Sequence, residues 1–132
     1  MDWKAENKKS GSGRKKYNRR SIGACYEQQA VIYLEELGYR VIEHNYYCHL
    51  GEIDLIARDG AYLVFLEVKY RAGSSFGSAA EAVTVWKQRR ICQCAAVYMK
   101  QHGILFDHPV RFDVLAVDGN QVTLIKNAFG GI

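Results

Sequence analysis

Two apolar segments with charged residues inside them constrain the fold of this chain more than any other feature. Residues 53–56 (IDLI) and 65–69 (FLEVK) are too hydrophobic to be solvent-exposed strands, yet they contain Asp54, Glu67 and Lys69. Residues two apart in a β-strand share a face, so Glu67 and Lys69 end a row of otherwise apolar side chains. A charge buried beside apolar neighbours costs several kcal/mol unless an opposite charge or a bound cation offsets it. The fold therefore has to bring a partner to these charges.

The rest of the pattern predicts a mixed α/β sheet. Asp59-Gly60 is a turn signal between two strand-like segments and predicts an antiparallel hairpin. A strand, a crossover helix and a further strand in one sheet normally make a parallel pair. The predicted order is a helix from Ser21 to the stop at Gly38, strands 39–46, 52–58 and 61–70, a helix from about Ala79 to Gln101, and strands 110–117 and 121–125.

Alternation along the second predicted strand assigns its side chains to faces. Ile53, Leu55 and Ala57 are expected on one face, and Asp54 is expected on the other. Asp54 would then stand among apolar residues of the sheet, as Glu67 does on the next strand.

Two explanations of these charges stay open from the residues alone. Either Lys69 forms an ion pair with Asp54 or Glu67, or the two acids hold a divalent cation with Lys69 beside it. Glu27 on the first helix has small or apolar neighbours one turn away on both sides, which favours the cation, although a helix glutamate is commonly solvated. Lys87 lies on the apolar stripe of the second helix, so it either reaches the strand ends or snorkels into water.

Charge is distributed unevenly along the 132 residues, whose net charge is +4. Residues 1–20 hold eight basic residues against two acidic ones, and they lack apolar periodicity. This composition predicts a disordered basic arm ahead of a single domain, residues 21–132. Such an arm either adds salt-sensitive affinity for nucleic acid or only keeps the protein in solution. Its basic residues nearest the domain are Lys15, Lys16, Arg19 and Arg20.

Composition argues against several other classes of protein. No apolar run approaches the length of a bilayer-spanning helix, and the N-terminus lacks the apolar stretch of a secretory signal, so we expect a cytoplasmic protein. The four cysteines form no C-x-x-C pair, which predicts free thiols and neither a zinc site nor a disulfide.

The charged strand residues resemble a known motif. Asp54, a hairpin turn and then Glu67-Val68-Lys69 are similar to the motif of the PD-(D/E)xK nuclease superfamily, with Ile53 in the place of the proline. Within that superfamily the chain resembles the YraN family of predicted endonucleases over about residues 21–126. The strings that carry this resemblance are GEIDLIA at 51–57, FLEVK at 65–69 and Phe76-Gly77.

The resemblance implies a restriction-endonuclease-like core, similar to that of archaeal Holliday-junction resolvases, and phosphodiester hydrolysis with Mg²⁺ or Mn²⁺. Each site residue then has a role only as far as it matches the motif. Asp54 and Glu67 match the metal-binding acids, Lys69 matches the lysine that positions or helps activate the attacking water, and Glu27 matches the acid on the first helix. Lys87 matches a recurring lysine of the second helix and is expected to contact nucleic acid. The carbonyl of Val68 is expected as a third oxygen ligand, and Arg71 is expected to meet the phosphate.

Three hypotheses of function follow. The first is a metal-dependent endonuclease acting on DNA, with branched or junction DNA as one substrate class. The second is a nucleic-acid-binding protein that keeps the nuclease fold without turnover. The third is an interaction protein in which Asp54, Glu67 and Lys69 form a buried ion pair. Related resolvases act as dimers, so a homodimer stays open, and no membrane partner is expected.

Overall fold

The computed structural model describes residues 17–71, 83–118 and 121–130, without the side chains of residues 17–26 and 71. The described elements are helix α1 (Tyr17–Glu36), strands β1 (Arg40–Cys48), β2 (Gly51–Asp59) and β3 (Tyr62–Arg71), helix α2 (Val85–Gln101), and strands β4 (Val110–Asp118) and β5 (Gln121–Phe129). The strands form a five-stranded sheet in the order β1-β2-β3-β4-β5. The predicted fold class and order of elements are confirmed.

The strand directions also agree with the sequence prediction. β2 and β3 form an antiparallel hairpin that turns at Gly60, whose φ is 61°. β3 and β4 are parallel because α2 carries the chain back across the sheet between them. β1 and β5 pair antiparallel with β2 and β4. The carboxyl ends of β3 and β4 and the amino end of β2 therefore lie at the same end of the sheet.

Each face of the sheet carries one helix and one hydrophobic core. The core under α2, called here the α2 core, includes Ile53, Ile56, Leu63, Phe65, Ile91 and Tyr98. The core under α1, called the α1 core, includes Ala30, Leu34, Leu55, Val64 and Leu66. Removing this apolar surface from water is the main stabilisation of such a sheet with a helix on each face.

The first helix ends at a stop that the sequence predicts. Gly38 has a φ of 98°, in the left-handed region, and the Tyr39 amide donates to the Leu34 carbonyl at 3.0 Å. This is the hydrogen bond of a Schellman motif, which glycine favours because it has no Cβ. The chain then enters β1 with the Tyr39 side chain buried.

The second helix begins later than the sequence predicts. Thr84 has an extended backbone, and its hydroxyl accepts a hydrogen bond from the Lys87 amide at 3.1 Å. This cap starts α2 at Val85, so the predicted helix is wrong at residues 83 and 84. Val83 is buried, as an apolar stripe would require, but it precedes the helix. Residues 79–82 lie outside the described residues.

The predicted basic arm can be compared with the structure only at its end. α1 begins at Tyr17, so Arg19 and Arg20 belong to this helix. Residues 1–16, with Lys15 and Lys16, lie outside the described residues. The disorder of the arm and its boundary with the domain stay predictions.

Three of the four cysteines, Cys48, Cys92 and Cys94, have described side chains, and none of these three is in a disulfide. The thiol sulfurs of Cys48 in β1 and Cys94 in α2 are 2.9 Å apart. Burial, together with the contact to Cys48, raises the pKa of the Cys94 thiol to about 12. Cys94 is therefore protonated at neutral pH.

A buried carboxylate in β4 holds several elements together, and the sequence analysis did not identify it. Asp113 is fully buried and accepts hydrogen bonds from the Tyr39 hydroxyl at 2.8 Å and the Asn127 amide at 2.8 Å. The Arg111 guanidinium donates to both of its oxygens at 2.9 Å and also to Asp59 at 2.8 Å. Asn127 has a left-handed φ of 55°, close to an irregularity in the β4–β5 register.

Replacing Asp113 with Asn is expected to lower the free energy of unfolding by about 3–5 kcal/mol, because Arg111 and Tyr39 lose a buried anionic acceptor. Denaturant titration followed by circular dichroism measures the change. Asp107 is exposed, and Asp107→Asn as a control is expected to stay within about 0.5 kcal/mol of the wild type. Equal stability of the two variants would contradict the role assigned to Asp113.

Candidate functional site

The candidate site lies where β2 and β3 separate. Their antiparallel pairing ends at Leu55 and Leu66, so Asp54 and Glu67 are the first residues beyond the paired region. Past this point β2 stays paired with β1, and β3 stays paired with β4. The neighbouring inner strands β2 and β3 therefore diverge. Backbone groups that would otherwise pair with each other face a gap between these strands.

The Asp54 carboxylate crosses this gap. Its Oδ2 atom accepts a hydrogen bond from the Val68 amide at 2.8 Å, in place of the strand-to-strand bond that the divergence removes. The amide and carbonyl of one strand residue point to the same side, so the Val68 carbonyl also faces the gap. Three groups with oxygen atoms, namely the carboxylates of Asp54 and Glu67 and the carbonyl of Val68, are thus placed around the separation of the strands.

A local change in β2 orients Asp54. Ile53 packs in the α2 core, whereas Leu55, two residues on, packs in the α1 core. The expectation that Ile53, Leu55 and Ala57 share a face is therefore wrong for Ile53. The register places Asn45 of β1 opposite Asp54, and Asn45 has a left-handed φ of 54°, which asparagine adopts more readily than most residues. The alternation of β2 is thus interrupted at the position of the candidate site, opposite a left-handed residue of β1.

Burial and a neighbouring acid act against the charge of Asp54. Burial is the larger cause and the negative charge of Glu67 the second, and together they raise the pKa of Asp54 to about 7. The hydrogen bond from Val68 and the positive charge of Lys87 oppose this rise, while Glu52 adds to it. The Asp54 carboxyl therefore titrates close to neutral pH.

Two lysines face the buried Glu67 from different elements. Glu67 is 4% exposed, and its Oε2 atom lies 3.4 Å from the Lys87 ammonium and 3.8 Å from the Lys69 ammonium. Lys69 comes from the same face of β3, as alternation predicts, and Lys87 comes from the first turn of α2. The first of the two explanations, an ion pair of Lys69 with an acid, is therefore observed with Glu67. The distance of 3.8 Å between the two atoms is long for an ion pair. For Asp54, the compensating contact in the described residues is the Val68 amide.

Glu27 lies beside this group and does not complete it. Burial raises the pKa of the Glu27 carboxyl, while a hydrogen bond with the Asn45 side chain lowers it and the charge of Glu52 raises it. The half-buried Glu27 thus faces the domain, as the sequence indicates, but its partner is the residue opposite Asp54. Over the ranges 17–71, 83–118 and 121–130, no three His, Cys, Asp or Glu side chains converge as a metal-binding group.

Two tyrosines that sequence reasoning did not assign to the site border it. Burial raises the pKa of the Tyr70 hydroxyl, and the charges of Glu27 and Asp54 raise it further. The charge of Glu52 is the main cause that raises the pKa of the Tyr47 hydroxyl. No spacing in the sequence marks Tyr70, because it follows Lys69 on the opposite face of β3. The side chains of Arg19, Arg20 and Arg71 lie outside the described residues, as do Lys15 and Lys16.

The oxygen donors fit one class of metal ion. Mg²⁺ is typically held by one or two carboxylates and keeps several waters, so Asp54, Glu67 and the Val68 carbonyl are a sufficient set of protein ligands. The set contains no thiolate or imidazole, which are the usual ligands of structural zinc. A divalent cation would also relieve the repulsion between the two acids that raises the pKa of Asp54.

Comparison with known proteins places this arrangement in a family. The model of the family described as "Uncharacterised protein family UPF0102" matches residues 26–117, which contain the whole candidate site. The chain belongs to the UPF0102 family. The resemblance to the YraN family is thereby confirmed, because UPF0102 and YraN are one family.

Similar family members cover nearly the whole domain. A UPF0102 protein of Serratia proteamaculans is 48% identical over 113 residues, 85% of this chain and 97% of that protein. Those of Lachnoclostridium phytofermentans and Legionella pneumophila (strain Corby) are 45% and 44% identical over 112 and 109 residues. These matches cover 85% and 81% of this chain, and 95% and 92% of those proteins. The names state a family and no reaction.

No helix within the described part of the chain is long and apolar enough to cross a lipid bilayer.

Replacing Asp54 with Asn is expected to stabilise the metal-free protein above neutral pH. The pKa of Asp54 is about 7 in the folded chain and about 3.9 in an unfolded one, so wild-type stability falls as the pH rises from about 4 to 7. Asn keeps an acceptor for the Val68 amide and has no charge to bury. The expected gain is at most about 4 kcal/mol at about pH 8, and near zero at about pH 4.

Thermal unfolding at several pH values in the presence of a chelator measures this difference. Asp107→Asn serves as the control and is expected to show no such pH-dependent gain, because Asp107 is exposed. An Asp54→Asn variant that loses stability at all pH values would contradict the electrostatic conflict described for this site.

Proposed function

We propose that the chain is a metal-dependent endonuclease that hydrolyses phosphodiester bonds in DNA. The observation that carries the proposal is the group at the divergence of β2 and β3: the adjacent carboxylates of Asp54 and Glu67, with the ammonium groups of Lys69 and Lys87 within 3.8 Å of Glu67. Branched or junction DNA is the substrate class to test first, because the family resembles junction resolvases. Membership of the family supports the fold that the proposal assumes. The proposed reaction rests on the residues of the candidate site.

The charges of the site account for its need of a cation. Hydrolysis of a phosphodiester adds negative charge to a group that is already anionic, and two carboxylates alone would repel it. Mg²⁺ or Mn²⁺, when bound, supplies positive charge at the phosphate and lowers the pKa of a bound water. Asp54, Glu67 and the Val68 carbonyl are the residues that would hold it.

Asp54 has to lose its proton for this role. With a pKa of about 7, the carboxyl titrates close to neutral pH, so cation and proton compete for it. Affinity for the cation is therefore expected to rise with pH through this range. The Val68 amide donates a hydrogen bond to Oδ2 of Asp54 at 2.8 Å. This bond holds the carboxyl group in place whether the proton or the cation occupies it.

The two lysines are suited to different tasks. Lys69 lies farther from Glu67, at 3.8 Å, and matches the lysine of the motif, so we assign it the positioning of the attacking water. Lys87 lies closer to Glu67, at 3.4 Å, and is anchored by a capped helix turn. It holds the Glu67 carboxylate and reduces the local negative charge. Arg71 and the basic residues Lys15, Lys16, Arg19 and Arg20 are proposed to contact the phosphate backbone.

Replacing Lys69 with Ala is expected to lower the rate of DNA cleavage by at least about 100-fold, because the attacking water loses its positioning group. The assay uses labelled flap, four-way-junction, single-stranded and duplex DNA with Mg²⁺ or Mn²⁺. Lys100 is an exposed lysine on the same helix as Lys87, and Lys100→Ala is expected to cleave like the wild type.

Two outcomes would count against the proposal. One is the absence of cleavage of any of these substrates by the wild type with either metal. The other is cleavage by Lys69→Ala at the wild-type rate, which would indicate a contaminating nuclease. DNA binding without cleavage and without an effect of metal would favour a non-catalytic protein that binds nucleic acid. Parallel assays with RNA of the same shapes test the choice of DNA.

A further inference from the structure

An exposed aromatic residue directly precedes one lysine of the candidate site in the chain. Trp86 is 65% exposed and occupies the first turn of α2. It directly precedes Lys87, whose ammonium contacts Glu67 at 3.4 Å. A large apolar ring normally becomes buried, so a tryptophan left in solvent next to a charged site indicates a surface for binding.

One face of this ring is held by an arginine. The guanidinium carbon of Arg90 lies 4.8 Å from the centroid of the Trp86 ring, in a cation–π contact. Arg90 also packs against the β1–β2 turn, since a Cβ built on Gly51 would lie 3.7 Å from its Nε atom. The guanidinium thus lies between the turn and the ring. Because the ring is still 65% exposed, its other face is open to a planar ligand.

The charges around the ring select the kind of ligand. The first two turns of α2 contain Lys87, Arg89 and Arg90, and the first turn contains no acidic residue. The N-terminus of a helix also favours anions through its dipole and its free amides. A partner that combines a flat aromatic group with negative charge suits this surface. A nucleotide in a nucleic-acid strand has both features.

We propose that Trp86, backed by Arg90, is a stacking platform for an unpaired base of the nucleic acid. A base within a duplex has both faces covered by its neighbours, so an outer ring can stack only on a base in a single strand, at a strand end or at a branch point. The inference rests on the proposed function and names its substrate class: DNA with unpaired bases next to the scissile phosphate.

Fluorescence of the full chain tests this contact without requiring catalysis. The chain has two tryptophans, Trp3 and Trp86, so Trp3→Phe leaves Trp86 as the only tryptophan reporter. The probes are a single-stranded oligothymidylate and a blunt duplex of equal length, in the presence of a chelator. We expect the single strand to quench the Trp86 emission and the duplex to leave it nearly unchanged.

Affinity for the same probes, measured by anisotropy, gives the size of the effect. Trp86→Ala is expected to weaken binding of the single strand by about 10- to 100-fold, and Trp86→Phe to recover most of it. Binding of the duplex is expected to change less than about twofold. Phe106 is 74% exposed in the segment that follows α2, and Phe106→Ala is the matched control, expected to bind both probes like the wild type.

Three results would overturn the inference. They are unquenched Trp86 emission at a saturating single strand, equal loss of affinity for both probes in Trp86→Ala, and single-strand affinity that does not depend on residue 86. A surface that binds a protein would give the first and third results. Failure of the nuclease proposal is distinguishable, because stacking without cleavage would leave these binding results in place.

Discussion

The separation of β2 and β3 is the constraint on which the candidate site depends. A sheet normally provides hydrogen bonds for every backbone group of its inner strands. Where the pairing of β2 and β3 stops, the Asp54 carboxylate accepts a hydrogen bond from the Val68 amide instead. The same separation places Glu67 and the Val68 carbonyl beside Asp54. Asn45, opposite Asp54 on β1, has a left-handed backbone at the same position. One local departure from regular strand geometry thus positions all the oxygen donors.

This arrangement leaves an electrostatic conflict that the rest of the domain does not fully offset. Glu67 has two lysines within 3.8 Å, whereas the pKa of Asp54 is raised to about 7 by burial and by Glu67. Asp113 shows the contrasting case, because its carboxylate is fully buried, whereas Asp54 is partly buried, and yet it accepts four hydrogen bonds, two of them from Arg111. A domain that can satisfy a buried acid so completely at Asp113 leaves Asp54 short of positive charge. This difference supports the proposal that a bound cation supplies the missing positive charge at Asp54.

Part of the fold and of the candidate site could be predicted from the sequence, for physical reasons. Asp59-Gly60 predicted the hairpin and the crossover helix predicted the parallel pair, because turn chemistry and strand direction are local or topological rules. Alternation placed Glu67 and Lys69 on one face because β3 is regular throughout. The face of Ile53 was wrong because periodicity cannot anticipate the irregularity at Asn45 and Asp54. Asp113 was missed since its partners, Tyr39 and Asn127, are distant in the sequence and only the completed sheet brings them to it.

Binding of Mn²⁺, followed by electron paramagnetic resonance, tests the central claim most directly, because free Mn²⁺ has a sharp signal that is lost on coordination. Titration of the full wild-type chain is predicted to show one bound ion per chain, displaced by excess Mg²⁺. The double variant Asp54→Asn/Glu67→Gln is predicted to leave the ion free while remaining folded by circular dichroism. A wild-type chain that binds no Mn²⁺, or a double variant that binds it equally well, would contradict the account.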